Sequence, residues 1–208
     1  LFPAMLVPDH YERDIVNFIR HSAYIQGCGG FGVFYNALVD LESAPGNGRR
    51  DAVNTYPGRA INEGDVVQIK LQANLLGGYY GVLGRPFSLG QPSDAVKRAF
   101  DDSLHAQKEI VKKLFPGTTL NAAAMAGRKL AVTAAPCVAY STGAAWAEPP
   151  AEGTSSGDFP LQEGAILAVG VPVPTGENGL EVACWDLFSV TPSGGMRIGG
   201  FPQTIQCV

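Results

Sequence analysis

Few residues in this sequence have the type and spacing to do chemistry, and those few narrow the options. The four cysteines, Cys28, Cys137, Cys184 and Cys207, are widely scattered. No Cys-x-x-Cys or His-x-x-x-His spacing occurs, so a structural zinc site is not expected. Free thiols that pack like small hydrophobes, in a reducing compartment, are the expected state, which places the chain in the cytoplasm. His10, His21 and His105 all fall on predicted helices, where surface or capping roles are expected rather than metal ligation. No Ser-His-Asp or Cys-His spacing marks an activated nucleophile. One cation stands out by position. Lys70 lies between Gln68 and Gln72 on the polar side of the alternating run Val67–Asn74, whose other side is Val67, Ile69, Leu71 and Ala73.

The elements that must position these groups are legible as helices and paired strands. Asp9 is placed to cap a helix, with Glu12 completing a capping box and Ile15, Ile19 and Tyr24 forming an apolar face that ends at Gly27. Phe31–Val39 reads as a strand, and Ser43–Arg50 as a loop. The alternating strand turns at Gly77-Gly78 and returns over Tyr79–Leu89. Ser93 then caps a long helix running to about Leu114, with Val96, Phe100, Leu104, Val111 and Leu114 buried and a Glu109–Lys113 pair outside. Pro116-Gly117 stops it. A short Ala-rich helix follows over Leu120–Leu130, then a strand candidate over Ala134–Ser141. Ala165–Val171 and Leu180–Thr191 read as a hairpin, and Pro192–Gly195 turns into a last short strand.

Composition bounds the class. A chain of 208 residues suits one domain or two intimately packed halves. With 46% apolar and 16% charged residues it is expected to bury a substantial core. A net charge of −4 with no basic run argues against nucleic acid or an anionic membrane as partner. The apolar runs, such as Gly164–Val173, fall short of the ~20 residues of a membrane helix. LFPAMLVP at the start lacks the features of a signal peptide and an initiator Met, as expected of a processed or trimmed polypeptide.

An internal echo is visible. AMLVPDHYERDIVNFIRHSA, from Ala4, resembles KKLFPGTTLNAAAMAGRKLA, from Lys112: an apolar pair, a break centred on Pro, then a helix. Two halves, about 1–91 and 92–208, related by pseudo-symmetry are expected. The second copy is preceded by the Ser93 helix. Its counterpart in the first copy would lie before Leu1.

In order along the chain stand GDVVQIKLQ, GYYGVLGRPFSLG, the Ser93 helix, FPG, YSTGAAWAEPP, LQEGAILAVGVP and CWDLFSVTPSGG. Taken together they resemble the pita-bread-fold metallopeptidases: methionine aminopeptidase, Xaa-Pro aminopeptidase, prolidase and creatinase. The resemblance runs from about Pro8 to the C-terminus. It implies an α/β pita-bread fold, a curved antiparallel sheet flanked by helices in two pseudo-symmetric halves, with the N-terminal helix missing. It also implies a correspondence for the five metal ligands. They fall on Lys70, Val82, Tyr140, Gly170 and Trp185, none of which is an acid or a histidine. A substrate-side histidine falls on Ala147, although Glu148 and Pro150 of that motif are kept.

Hard divalent ions need carboxylate or imidazole ligands. Lys70 would put a positive charge where a cation sits, a repulsion of about 4 kcal/mol per unit charge at 4 Å and an effective dielectric near 20. The expectation is a chain without metal or other cofactor and without metallopeptidase activity. Three uses of the five positions are open. They fill the vacated space, with Trp185 as plug and Lys70 turned to solvent or paired with Asp186 or Glu148. Or they line a cleft, with Gln68, Gln72 and Glu148 beside them, for a small molecule or peptide. Or Lys70 and Tyr140 act as base or nucleophile and proton donor in metal-independent chemistry. Cys137 and Cys184 lie near these strands and are expected to be structural thiols. An apolar sheet face left bare by the absent helix marks an interface, covered by a partner chain or by a removed N-terminal segment.

Overall fold

A computed structural model describes residues 8–28, 37–43, 60–74, 80–128, 138–141, 160–176 and 180–208, through the main chain alone at 37–43, 74, 80, 128 and 138–141. The elements are α1 (Glu12–Ile25), β1 (Ala37–Ser43), β2 (Val66–Asn74), β3 (Tyr80–Ser88), α2 (Asp94–Val111), α3 (Leu120–Arg128), β4 (Val138–Ser141), β5 (Ile166–Gly170), β6 (Val173–Pro174), β7 (Glu181–Val182), β8 (Asp186–Thr191), β9 (Gly194–Ile198) and β10 (Gln206–Cys207). They form two four-stranded sheets, β1-β2-β3-β10 and β4-β5-β8-β9, with β6-β7 as a small separate pair. The pairings are antiparallel apart from β10, which lies parallel to β3.

Alternation in β2 sorts its residues as the sequence predicts. Val67, Ile69 and Ala73 are buried with α1 residues Ile15, Val16, Ile19 and Ala23 on one face of the first sheet. On the opposite face, Gln68, Lys70 and Gln72 stand across from Pro86, Gly84 and Val82. The second sheet carries the larger core. Val96, Phe100, Ile110 and Leu114 of and after α2 pack against Leu167 and Val169 of β5 and Phe188 and Val190 of β8.

The internal echo has a counterpart in the main chain. Asp9 N–H donates to Ile61 C=O at 3.0 Å, and Gly117 N–H to Leu161 C=O at 2.9 Å. Ile61 N–H donates to His10 C=O, and Leu161 N–H to Thr118 C=O. Gly64 N–H reaches Leu89 C=O as Gly164 N–H reaches Val190 C=O. Asp9 and Gly117 both hold positive φ, 70° and 88°. Aspartate tolerates that conformation and glycine adopts it freely. The two sheets therefore repeat one wiring, with α1 matching α3, β2 matching β5 and β3 matching β8.

Several local expectations are corrected. Asp9 does not cap α1: it lies in a turn at positive φ, Tyr11 is extended and bridged to Ala60, and the helix starts after Tyr11 with no side-chain cap. His10 accordingly precedes the helix, while His21 and His105 are exposed on α1 and α2. Tyr24 is exposed and Ala23 takes its place on the apolar face. Ser93 does cap α2, accepting from Val96 N–H at 3.2 Å. The outer ion pair is Lys112 with Glu109, one turn apart, rather than Lys113. The hairpin expected from Ala165 to Thr191 is β5 with β8, but the chain between them folds into the β6-β7 pair first. Of the Phe31–Val39 strand, Ala37–Val39 fall in β1, which runs on to Ser43; residues 31–36, with the Gly77-Gly78 turn, lie outside the described set.

Candidate functional site

The two sheets meet where β3 faces the residue before β8. Gly84 N–H donates to Trp185 C=O at 3.1 Å and Trp185 N–H returns to Gly84 C=O at 3.0 Å. This bridge sets Trp185 on the inner side of the junction, and the surroundings are shaped to take it. A Cβ on Gly170 would stand 2.2 Å from Cδ2 of the indole, and one on Gly84 would stand 2.7 Å from Cδ1. Real Cβ atoms do not approach so closely, so both positions need glycine while the ring is there. Trp185 is 4% exposed and packs with Val82, Ala168 and Ala183. The Nζ of Lys70 lies 4.2 Å from the centroid of the Trp185 ring, a cation–π contact.

The fold thus brings together four of the five residues singled out in the sequence: Lys70, Val82, Gly170 and Trp185. The fifth, Tyr140, sits on β4 opposite Ala168 of β5, and its side chain lies outside the described set. So does Glu148. Gln68 is buried rather than lining a cleft: its Oε1 accepts from Ala183 N–H at 3.0 Å and its Nε2 donates to Ile69 C=O at 3.3 Å. Gln72 is half-buried. Lys70 does not pair with Asp186. An amine, an isopropyl group, a bare main chain and an indole provide no carboxylate or imidazole, and the indole occupies the space between them. These four residues do not fit a hard divalent ion. Among the described residues, no group of three or more His, Cys, Asp or Glu is placed to hold one.

Asp186 is spent elsewhere, in a buried network that sequence reading missed. Arg85 is 1% exposed and Asp186 2%, and Arg85 Nη2 donates to Asp186 Oδ1 at 2.7 Å. Arg85 also donates to the carbonyls of Gly84, Trp185, Phe201 and Pro202. Arg197 donates to Asp186 Oδ1 at 3.0 Å and Gln203 to Oδ2 at 2.8 Å. Burial alone would raise the Asp186 pKa, but the hydrogen bonds from Arg197 and Arg85 outweigh it and hold the carboxyl below its ordinary value. The neighbouring Cys184 thiol is pushed up to about 12, chiefly by burial, so it is an inert structural thiol. The signal for the network was present: a lone arginine on the apolar side of β3, in step with Leu83 and Phe87, needs a buried acid.

A sizeable cavity, of about 690 Å³, lies on the other side of the first sheet. Ile19 and Ala23 of α1, Leu71 of β2, Leu83 of β3, and Ile198 and Phe201 line it. Lys70, Gly170 and Trp185 do not.

Two sheets of matched wiring joined at a pseudo-two-fold bridge define the pita-bread α/β fold. The same fold is found in the crystal structure of dipeptidase PepE from Mycobacterium ulcerans, at TM-score 0.83 and 22% identity over 100% of this chain and 55% of that one. It is found again in the X-Pro aminopeptidase from Thermotoga maritima, at TM-score 0.80 and 20% identity over 100% and 58%. The profile of metallopeptidase family M24 matches residues 2–199, and the chain belongs to that family. In sequence it is similar to a probable dipeptidase PepE of Mycobacterium tuberculosis, 26% identical over 117 residues, which is 56% of this chain and 29% of the relative. The chain matches less than a third of that curated relative's length and just over half of the solved ones.

Proposed function

We propose that this chain is a metal-free member of family M24 that has exchanged hydrolysis for a binding or assembly role. One observation carries the reading. Under the correspondence drawn from the sequence, the ligand positions are Lys70, Val82, Tyr140, Gly170 and Trp185, and the Trp185 ring packs directly against Gly170, another of those positions. Peptide hydrolysis in this fold family rests on metal-activated water, and these residues supply no ligands for it. The ring contact of Lys70 also supports the plug among the three uses open in the sequence, because it sets the amine against the indole. What remains is a frame whose surfaces, rather than whose centre, are free to be useful.

The test is calorimetric titration of the purified chain with Mn²⁺, Co²⁺ and Zn²⁺, read beside hydrolysis of Xaa-Pro and other dipeptides, the substrates named by its relatives. No saturable binding and no turnover above the buffer rate are expected. Two bound equivalents of metal would overturn the reading, whatever the rate.

A further inference from the structure

The second sheet ends, among the described residues, on an unguarded edge: β9 is the outermost strand of the order β4-β5-β8-β9. The turn at Pro192-Ser193 sets Thr191 opposite Gly194, and Val190 directs its N–H to Ala165 on the β5 side. Alternation from there points the main-chain groups of Gly194, Met196 and Ile198 at β8 and those of Gly195 and Arg197 outward. Natural sheets blunt such edges with charges, prolines or bulges. β9 contains no proline and keeps one register with β8 along its length. Its single charge, Arg197, is drawn to Asp186 Oδ1 at 3.0 Å and to the Phe201 carbonyl. On the opposite face of the strand, Met196 is 60% and Ile198 39% exposed.

We propose that β9 pairs antiparallel with β9 of a second copy of this chain, joining the two copies' second sheets into one continuous sheet across a two-fold axis at Arg197. The occupant follows from the strand's own sequence. Gly194-Gly195-Met196-Arg197-Ile198-Gly199-Gly200 is nearly palindromic about Arg197. An axis there makes Arg197 the centre of the ladder, where its outward N–H and C=O exchange bonds with those of the second copy. Met196 then stands opposite Ile198 of the second copy, and Ile198 opposite its Met196. These are the non-hydrogen-bonded positions, where cross-strand side chains approach most closely, and both pairs are apolar. Gly195 falls opposite Gly199, so no side chain obstructs either end. Like charges directly opposite each other are unfavourable, but each Arg197 is compensated by its own Asp186. The same strand serves both chains, so the assembly closes at two. A ribbon of five residues is a small interface, and the dimer is therefore concentration-dependent. The inference goes beyond the reading proposed above and is independent of whether metal binds.

The experiment is sedimentation equilibrium of the purified 208-residue chain over a range of concentrations. The mass is expected to climb toward twice the 21.9 kDa of a single chain. Met196→Lys adds a charge to the edge at an exposed position, and is expected to weaken association by about tenfold or more with the urea midpoint unchanged. The register has its own test. In a background with Cys137 and Cys207 changed to Ser, a mixture of the Met196→Cys and Ile198→Cys proteins should form an intermolecular disulfide under mild oxidation. Neither protein alone should do so, because the axis sets 196 opposite 198 and each diagonal to itself. A single-chain mass at every concentration would overturn the proposal. So would a dimer indifferent to Met196→Lys, or a disulfide that forms within either protein alone as fast as in the mixture. The metal titration reports on the earlier reading alone, so failure of one is distinguishable from failure of the other.

Discussion

Trp185 and the two glycines beneath it form a unit in which each residue dictates the others. Gly170→Ala is expected to cost about 1–3 kcal/mol in urea unfolding, the usual range for overpacking a filled core. In a Trp185→Leu background the same change should cost much less, and that non-additivity is the signature to look for. An equal cost in both backgrounds would mean that the ring does not press on Gly170. Asp186 gives a second residue-scale prediction. Asp186→Asn removes the negative charge that pairs buried Arg85 with Arg197 and replaces the oxygen that accepts from Gln203 by an NH2 group, and is expected to destabilise by about 3–5 kcal/mol, as breaking a buried pair does. The pH dependence has a definite sign. The folded pKa lies below the unfolded value, near 3.9, so the stabilisation is present above that value and is lost as pH falls through the folded pKa. Acid unfolding curves of the Asn variant should therefore flatten below about pH 4 relative to wild type.

Among the elements, α2 depends on one polar residue more than its apolar stripe suggests. Gln107 is buried and donates through Nε2 to the carbonyls of Val169 and Cys184, at 3.0 and 2.8 Å. Gln107→Leu leaves both carbonyls unpaired and is expected to cost about 1–3 kcal/mol, with protection lost at β5 in hydrogen exchange. Loss confined to α2 itself would show that the contact is incidental. This scale also separates what was legible in the sequence from what was not. The strand Val66–Asn74 and the Ser93 cap were readable because alternation and capping are local signals. The false cap at Asp9 was not avoidable locally, since the main-chain bonds that hold 9–11 out of the helix come from 60–61, some fifty residues away. The Lys70–Val82–Gly170–Trp185 cluster was reachable only through the resemblance, because its four members lie on four separate segments. Gln107 and Arg85 were discoverable as polar residues in apolar stripes, but their partners were not.

For the molecule as a whole, the sequence held the pseudo-symmetry in two stretches of twenty residues, and the hydrogen bonds repeat it. What it did not hold was the junction. The sheets are joined by a main-chain bridge at Gly84 and Trp185, by the buried Arg85–Asp186 pair, and by Gln68 reaching Ala183. These contacts hold the two sheets together at the centre of the molecule.

The short strand β10 has a consequence for how the chain is made. Gln206 and Cys207 lie parallel to Phe87 and Ser88, and Val208 exchanges main-chain bonds with Ser88 and Gly90. The edge of the first sheet is thus completed by residues made more than a hundred positions after β3. The early-synthesised strands must wait through the translation of more than a hundred residues, with β3 unpaired along that edge. Closure across such a sequence separation is slow, and an unpaired strand is a target for wrong partners while it lasts. The closure is in this sense a timing event: nascent chains arrested short of Gln206 should engage chaperones, and emergence of the segment through Val208 should end that engagement.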